Sequence, residues 1–91
     1  MQTPHILIVE DELVTRNTLK SIFEAEGYAV TLARDGAEAV RLFDAKRPDL
    51  VLLDVMMPKM NGLAACAEIR RLDALVPIMF FTAMLDRKSV V

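Results

Sequence analysis

Cysteine, basic clusters and long apolar runs are scarce in this 91-residue sequence, and each scarcity excludes a class of protein. The single cysteine, Cys66, cannot form a disulfide within the chain. No stretch collects lysines or arginines and the net charge is −2, so nucleic acid and anionic membranes are poor partners for this segment. The first residues lack the basic region of a signal peptide, and the apolar runs are too short to span a bilayer. We therefore expect a cytoplasmic protein.

The composition is that of a folded domain. Hydrophobic residues make up 54% of the chain and charged residues 26%, which provides enough apolar material for a core. No internal repeat, linker or low-complexity stretch divides the sequence. We expect a single domain over residues 1–91.

Apolar runs and amphipathic segments alternate along the chain. The apolar runs predict strands at residues 6–9, 28–33, 50–53 and 78–81, and the amphipathic segments predict helices at residues 13–26, 37–46 and 63–72. This alternation is typical of βαβ units with right-handed crossovers. The predicted fold class is α/β, a doubly wound parallel sheet with four strands and three helices.

The first predicted helix has an apolar side and a polar side. The apolar side gathers Val14, Thr18, Leu19, Ile22 and Phe23. The polar residues fall mostly opposite, namely Arg16, Asn17, Lys20 and Glu24. Gly27 is the expected C-terminal stop of the helix.

Acidic and hydroxyl side chains follow the three strongest predicted strands. Glu10 and Asp11 follow the first strand, Asp54 follows the third and Thr82 follows the fourth. Ligands of open parallel sheets bind at the carboxyl ends of the strands. If these strands are neighbours, the carboxylates converge into a set of hard oxygen ligands that suits Mg²⁺. A single acid after a strand is usually a turn or helix-cap residue, but three acids after two separate apolar strands favour a site.

The stretches ILIVED, at residues 6–11, and LVLLDVMMPKMNG, at residues 50–62, resemble the receiver domain family of bacterial response regulators. The resemblance covers residues 5–83, and residues 1–28 resemble one regulator of the family particularly closely. It implies the flavodoxin-like receiver fold. It also implies a two-component signalling module, not an enzyme, that takes a phosphoryl group from a sensor histidine kinase or a phosphotransfer protein.

The resemblance assigns a role to each matching residue. Asp54 stands at the position of the phosphoacceptor. Glu10 and Asp11 match the acidic pair that holds Mg²⁺, and Met56 matches the residue whose backbone carbonyl binds the metal. Thr82 matches the switch hydroxyl, and Ala83 matches the small residue beside the phosphate site.

The family pattern continues beyond this chain. It includes a fifth strand, a lysine after that strand and a final helix, none of which the 91 residues contain. The expectation is thus an incomplete receiver with an atypical tail at residues 85–91, either a fragment of a transcription regulator or an artefactually truncated gene product. We expect the strand at residues 78–81 to form an exposed sheet edge that promotes self-association.

Two other functions stay open at this point. One is an interaction domain with the receiver fold that cannot switch, since the lysine is missing. The other is a phosphatase with an aspartyl nucleophile of the haloacid-dehalogenase type. That class places a second acid two residues after the nucleophile, where this chain has Met56.

Overall fold

The computed structural model describes residues 3–54 and 62–81, which form four strands and three helices. In chain order the elements are β1 (His5–Val9), α1 (Leu13–Ala25), β2 (Ala29–Ala33), α2 (Gly36–Lys46), β3 (Leu50–Asp54), α3 (Gly62–Leu72) and β4 (Ile78–Phe81). The predicted elements are confirmed, and each boundary differs from its prediction by at most one residue. Among the described residues, no helix has the length and apolar content needed to cross a bilayer.

The four described strands form one parallel sheet in the order β2-β1-β3-β4. The chain first adds β2 on one side of β1 and then crosses to add β3 on the other side. The strand order therefore reverses between β1 and β3, which is where ligand sites of such sheets lie.

Side chains on the two faces of the sheet pack against different helices. On one face, Leu7, Val9, Val51 and Leu53 join residues of α2 and α3 in the larger core cluster. On the other face, Ile6, Ile8 and Leu52 pack against Leu19 and Phe23 of α1. Because β1 and β3 are covered on both sides, their sequences are continuous apolar runs, without the alternation of half-exposed strands. The predicted doubly wound architecture is confirmed.

Local signals define the ends of the helices. Asp35 caps the start of α2, since its Oδ1 accepts a hydrogen bond of 2.8 Å from the Glu38 N–H. Gly27 follows α1 with a φ of 97°, and its N–H donates to the Glu24 carbonyl at 3.1 Å. Only glycine adopts this left-handed conformation readily, so the predicted helix stop is confirmed.

The predicted apolar side of α1 is confirmed at Leu19 and Phe23 but wrong at Val14 and Ile22. Val14 and Ile22 are 69% and 51% exposed, although they were expected to face the core. Arg16 is half-buried together with Leu19 and Phe23, at positions spaced three and four residues apart on one face. A helical wheel treats hydrophobicity as the only guide to burial. On the observed buried face, the guanidinium of Arg16 finds hydrogen-bond acceptors in the carbonyls of Glu10 and Asp11.

Candidate functional site

Two acids lie side by side at the point where the strand order reverses. Val9 and Leu53 are register partners in the parallel pairing of β1 and β3. Along the chain, Glu10 follows Val9 and Asp54 follows Leu53, and both acids are fully buried. The parallel pairing therefore carries two carboxyl groups, 44 positions apart in sequence, to the same edge of the sheet.

Asp11 completes a group of three carboxylates. Glu10, Asp11 and Asp54 each offer one carboxylate oxygen, and these three oxygens lie within 4.8 Å of one another. Asp11 is exposed, so one side of the group is open to solvent. The structure thus brings together the three acids that the sequence placed at the ends of two separate strands.

The Glu10 carboxyl is held from one side only. Its Oε2 accepts a hydrogen bond of 2.8 Å from the Glu12 N–H. Its Oε1 is buried and has no hydrogen-bond partner in the described part of the chain. Burial, which is the largest cause, and the neighbouring Asp54 and Asp11 carboxyls together raise the pKa of Glu10 from its usual 4.5 to about 8, against the lowering effect of the Glu12 hydrogen bond.

This donor set fits a divalent cation. Carboxylate oxygens are the ligands that Mg²⁺ and Ca²⁺ prefer, and Mg²⁺ in particular binds through one or two carboxylates with waters completing its shell. A buried carboxylate oxygen that lacks a hydrogen-bond donor is costly, and a cation would relieve both that cost and the repulsion among the three acids. The residues present therefore fit the metal ion expected from the sequence.

Some predicted site residues cannot be placed. Met56, Thr82 and Ala83 lie outside the described residues, so their assigned roles stay predictions. Cys66, by contrast, lies in the described part of the chain, half-buried against the larger core cluster.

One residue near the site was not predicted from the sequence. The Arg16 side chain reaches back from α1, and its Nη1 donates to the carbonyls of Glu10 at 2.9 Å and Asp11 at 3.3 Å. The signal that could have found it is its spacing from Leu19 and Phe23, which puts all three on the buried face.

Comparisons with known proteins agree with this geometry. The family model described as "Response regulator receiver domain" matches residues 6–91. The chain is 58% identical over 82 residues to the aerobic respiration control protein ArcA of Escherichia coli K12, covering 90% of this chain and 34% of that protein. It is 47% identical over 81 residues to the probable transcriptional regulator ycf27 of Guillardia theta, covering 89% and 32% respectively. The close resemblance seen in residues 1–28 is to ArcA, and it extends well beyond them.

A solved structure has the same architecture. The response regulator TrrA of Thermotoga maritima, crystallised in complex with Mg(2+)-BeF, superposes with a TM-score of 0.85 at 37% identity. The match covers 94% of this chain and 75% of that one. The chain spans about a third of the length of the two curated relatives above.

Proposed function

The chain belongs to the response regulator receiver family, and from that membership we propose that Asp54 accepts a phosphoryl group from a partner histidine kinase or phosphotransfer protein, with Mg²⁺ held by Glu10, Asp11 and Asp54. Receiver domains are signalling modules, and accepting a phosphoryl group is their general function. The observation that carries the proposal is the convergence of the three carboxylates within 4.8 Å at the reversal of the strand order.

Asp54 is suited to the role of nucleophile by its position. It is the last residue of β3, so the sheet fixes its backbone at the end of the strand where the three acids meet. In the transfer, a carboxylate oxygen of Asp54 bonds to the phosphorus of the partner's phosphohistidine. The P–N bond breaks, and its electron pair stays on the imidazole nitrogen, which then takes a proton. Such a reaction depends mainly on positioning and on neutralising the charge of the phosphoryl oxygens.

Glu10 lies on the buried side of the site, and Asp11 lies on its solvent-exposed side. Bound Mg²⁺ would supply the positive charge that neutralises the phosphoryl oxygens. Oε1 of Glu10, which has no partner among the described residues, and the solvent-facing carboxylate of Asp11 could hold the ion beside Asp54. The complex of TrrA with magnesium and beryllium fluoride supports the same assignment by similarity.

Exposed apolar side chains next to the site provide a surface for the phosphoryl donor. Leu13 and Val14 are 60% and 69% exposed at the start of α1, directly after the acidic residues. A partner protein that delivers a phosphohistidine to Asp54 would cover this surface. We propose that this encounter with a kinase or phosphotransfer protein takes place in the cytoplasm.

The names of the relatives support a wider proposal. ArcA is a respiration control protein and ycf27 is a probable transcriptional regulator, and this chain matches about a third of each. We propose that these residues are the receiver part of a transcription regulator. Sequencing the DNA after codon 91 tests this: a frame that continues through a fifth strand and a lysine is expected, and a natural stop codon would contradict it.

Labelling by acetyl phosphate tests the phosphoacceptor directly. We expect Mg²⁺-dependent uptake of one phosphoryl group, detected by intact-mass spectrometry, and its loss on chelation of the metal. Asp54→Asn should abolish the uptake, because an amide is not a nucleophile for phosphorus. The matched control is Asp44→Asn, which changes an exposed aspartate that pairs with Arg47. Undiminished labelling of Asp54→Asn would refute the assignment, and multiple turnover on unrelated phosphate esters would favour the phosphatase alternative.

A further inference from the structure

We propose that Arg16 is a positioning residue for the metal-binding acids: its guanidinium holds the two carbonyl groups of Glu10 and Asp11 and so sets the convergence of their carboxylates towards Asp54. This inference deepens the proposed function and rests on it. The central observation is one nitrogen, Nη1 of Arg16, that donates to both carbonyls, at 2.9 Å and 3.3 Å.

The two carbonyl groups lie in a gap between regular elements. The Glu10 N–H still continues the pairing of β1 with β2, since it donates to the Ala33 carbonyl at 3.0 Å. The first carbonyl used by the helix is that of Glu12, which accepts from the Arg16 N–H at 2.9 Å. The carbonyls of residues 10 and 11 therefore fall after the sheet pairing and before the helix. A backbone acceptor in such a place needs a donor from a side chain or from water.

A single guanidinium that bridges consecutive carbonyls restrains the peptide groups between them. The orientation of those peptide groups decides where the side chains of Glu10 and Asp11 point. The Glu12 N–H also fixes Oε2 of Glu10, and Oε1 is buried with no hydrogen-bond partner among the described residues. The loop is thus held by three hydrogen bonds, of which Arg16 donates two and the Glu12 N–H donates one. Side chains that orient metal ligands in this way commonly change metal affinity when they are removed.

A lysine at position 16 separates the charge of Arg16 from its donor geometry. The guanidinium lies within hydrogen-bond distance of the backbone that carries two of the three acids, and it is half-buried. A lysine would keep the charge and a donor nitrogen, but its flexible stem orients that nitrogen less rigidly than the planar guanidinium does. Arg16→Lys should therefore restore part of the function that a neutral side chain loses.

Arg70 provides a matched control elsewhere in the fold. It is also half-buried, and its Nη1 donates to the carbonyls of Asp73 at 3.4 Å and Val76 at 2.6 Å. It therefore clamps the loop between α3 and β4 in the same way, but at the opposite end of the sheet, where β4 begins. Arg70→Met should reduce stability and leave metal binding unchanged.

The experiment is a Mg²⁺ titration of the 91-residue chain followed by NMR chemical shifts, with thermal unfolding of each metal-free variant measured in parallel. Arg16→Met should raise the Kd for Mg²⁺ about tenfold or more. Arg16→Lys should give an intermediate Kd, and Arg70→Met should stay within about twofold of the unchanged chain.

The outcomes separate the inference from the function on which it rests. A chain that binds no Mg²⁺ would refute the proposed metal site, and this inference with it. A chain that binds Mg²⁺, with an Arg16→Met variant of the same Kd, would refute the positioning role alone. If Arg16→Met does not fold, Arg16→Lys decides, and an unchanged Kd in that variant would also refute it. An equal rise of Kd in Arg70→Met would show a general loss of stability and count against the inference.

Discussion

Glu10 and Asp54 are fully buried neighbours at the ends of two parallel strands, and their carboxylate oxygens belong to a group no wider than 4.8 Å. Two acids so placed cannot both carry a charge without cost, and the pKa of Glu10 is raised to about 8 by burial and by the neighbouring Asp54 and Asp11 carboxyls. The site is therefore electrostatically strained without a cation. Several measurable properties follow from this relationship.

The stability of the metal-free chain should rise when Asp54 loses its charge. Asp54→Asn removes a carboxylate beside Glu10 and lowers the pKa of Glu10 towards its usual value. At pH 8 without Mg²⁺ we expect the free energy of unfolding to rise by about 1–2 kcal/mol, the equivalent of about one pKa unit. Urea denaturation measures it, with Asp44→Asn as the control. A variant that is less stable than the unchanged chain would show that the two acids do not repel each other.

The affinity for Mg²⁺ should depend on pH through Glu10. The metal binds the charged carboxylate and competes with the proton, so the Kd should fall by up to about tenfold per pH unit between pH 6 and 8 and level off above. Isothermal titration calorimetry at several pH values measures both the Kd and the proton released. Glu10→Gln should weaken binding and flatten the profile. A Kd that is constant between pH 6 and 8 is incompatible with this view.

The same carboxyl should make the metal-free fold sensitive to alkaline conditions. The pKa of Glu10 in the folded chain, about 8, lies above its usual 4.5, so folding favours the protonated form. Its stabilising contribution is complete below about pH 4.5 and is lost as the pH rises through about 8. Unfolding at pH 6 and 8 should show this loss, and Mg²⁺ should offset it at pH 8. Glu10→Gln should show a smaller change over the same interval.

Substitutions on α1 should reveal which side of the helix packs on the sheet. Phe23 packs in the smaller core cluster, with its ring edge-on to Tyr28 at a centroid distance of 5.5 Å. We expect Phe23→Ala to cost about 2–3 kcal/mol, and Ile22→Ala, at a 51% exposed position, to change stability by less than about 0.5 kcal/mol. Equal losses of stability from the two substitutions would show that Ile22 packs on the sheet, as predicted from the sequence.

The edge of the described sheet should promote association between copies. Within the described strands β4 pairs with β3 alone, and Met79 and Phe80 are 56% and 44% exposed. Charged side chains on a strand edge oppose such pairing. We expect the 91-residue chain to self-associate in analytical ultracentrifugation, and Met79→Lys to reduce this. Leu75→Lys, at an 89% exposed position before the strand, is the control. A monomeric sample that unfolds cooperatively would argue against self-association through the β4 edge.

Much of the fold could be read from local patterns. The runs ILIV and LVLL predicted buried parallel strands because only strands covered on both faces are apolar without alternation. Gly27 and the Asp35-Gly36 turn signal marked helix boundaries through backbone geometry alone. The acids after β1 and β3 were recognised as a candidate site because parallel strands end at the same edge of the sheet.

By itself, the sequence determined the order of the elements, the fold class and the three acids of the site, since each of these depends on short-range patterns or on a family motif. Only the tertiary structure decided which way α1 faces and where Arg16 points. Burial of a helix face depends on the surface beneath it as well as on its own hydrophobicity. Here that surface includes the carbonyls of Glu10 and Asp11 that accept hydrogen bonds from Arg16, which no periodicity in the sequence could show.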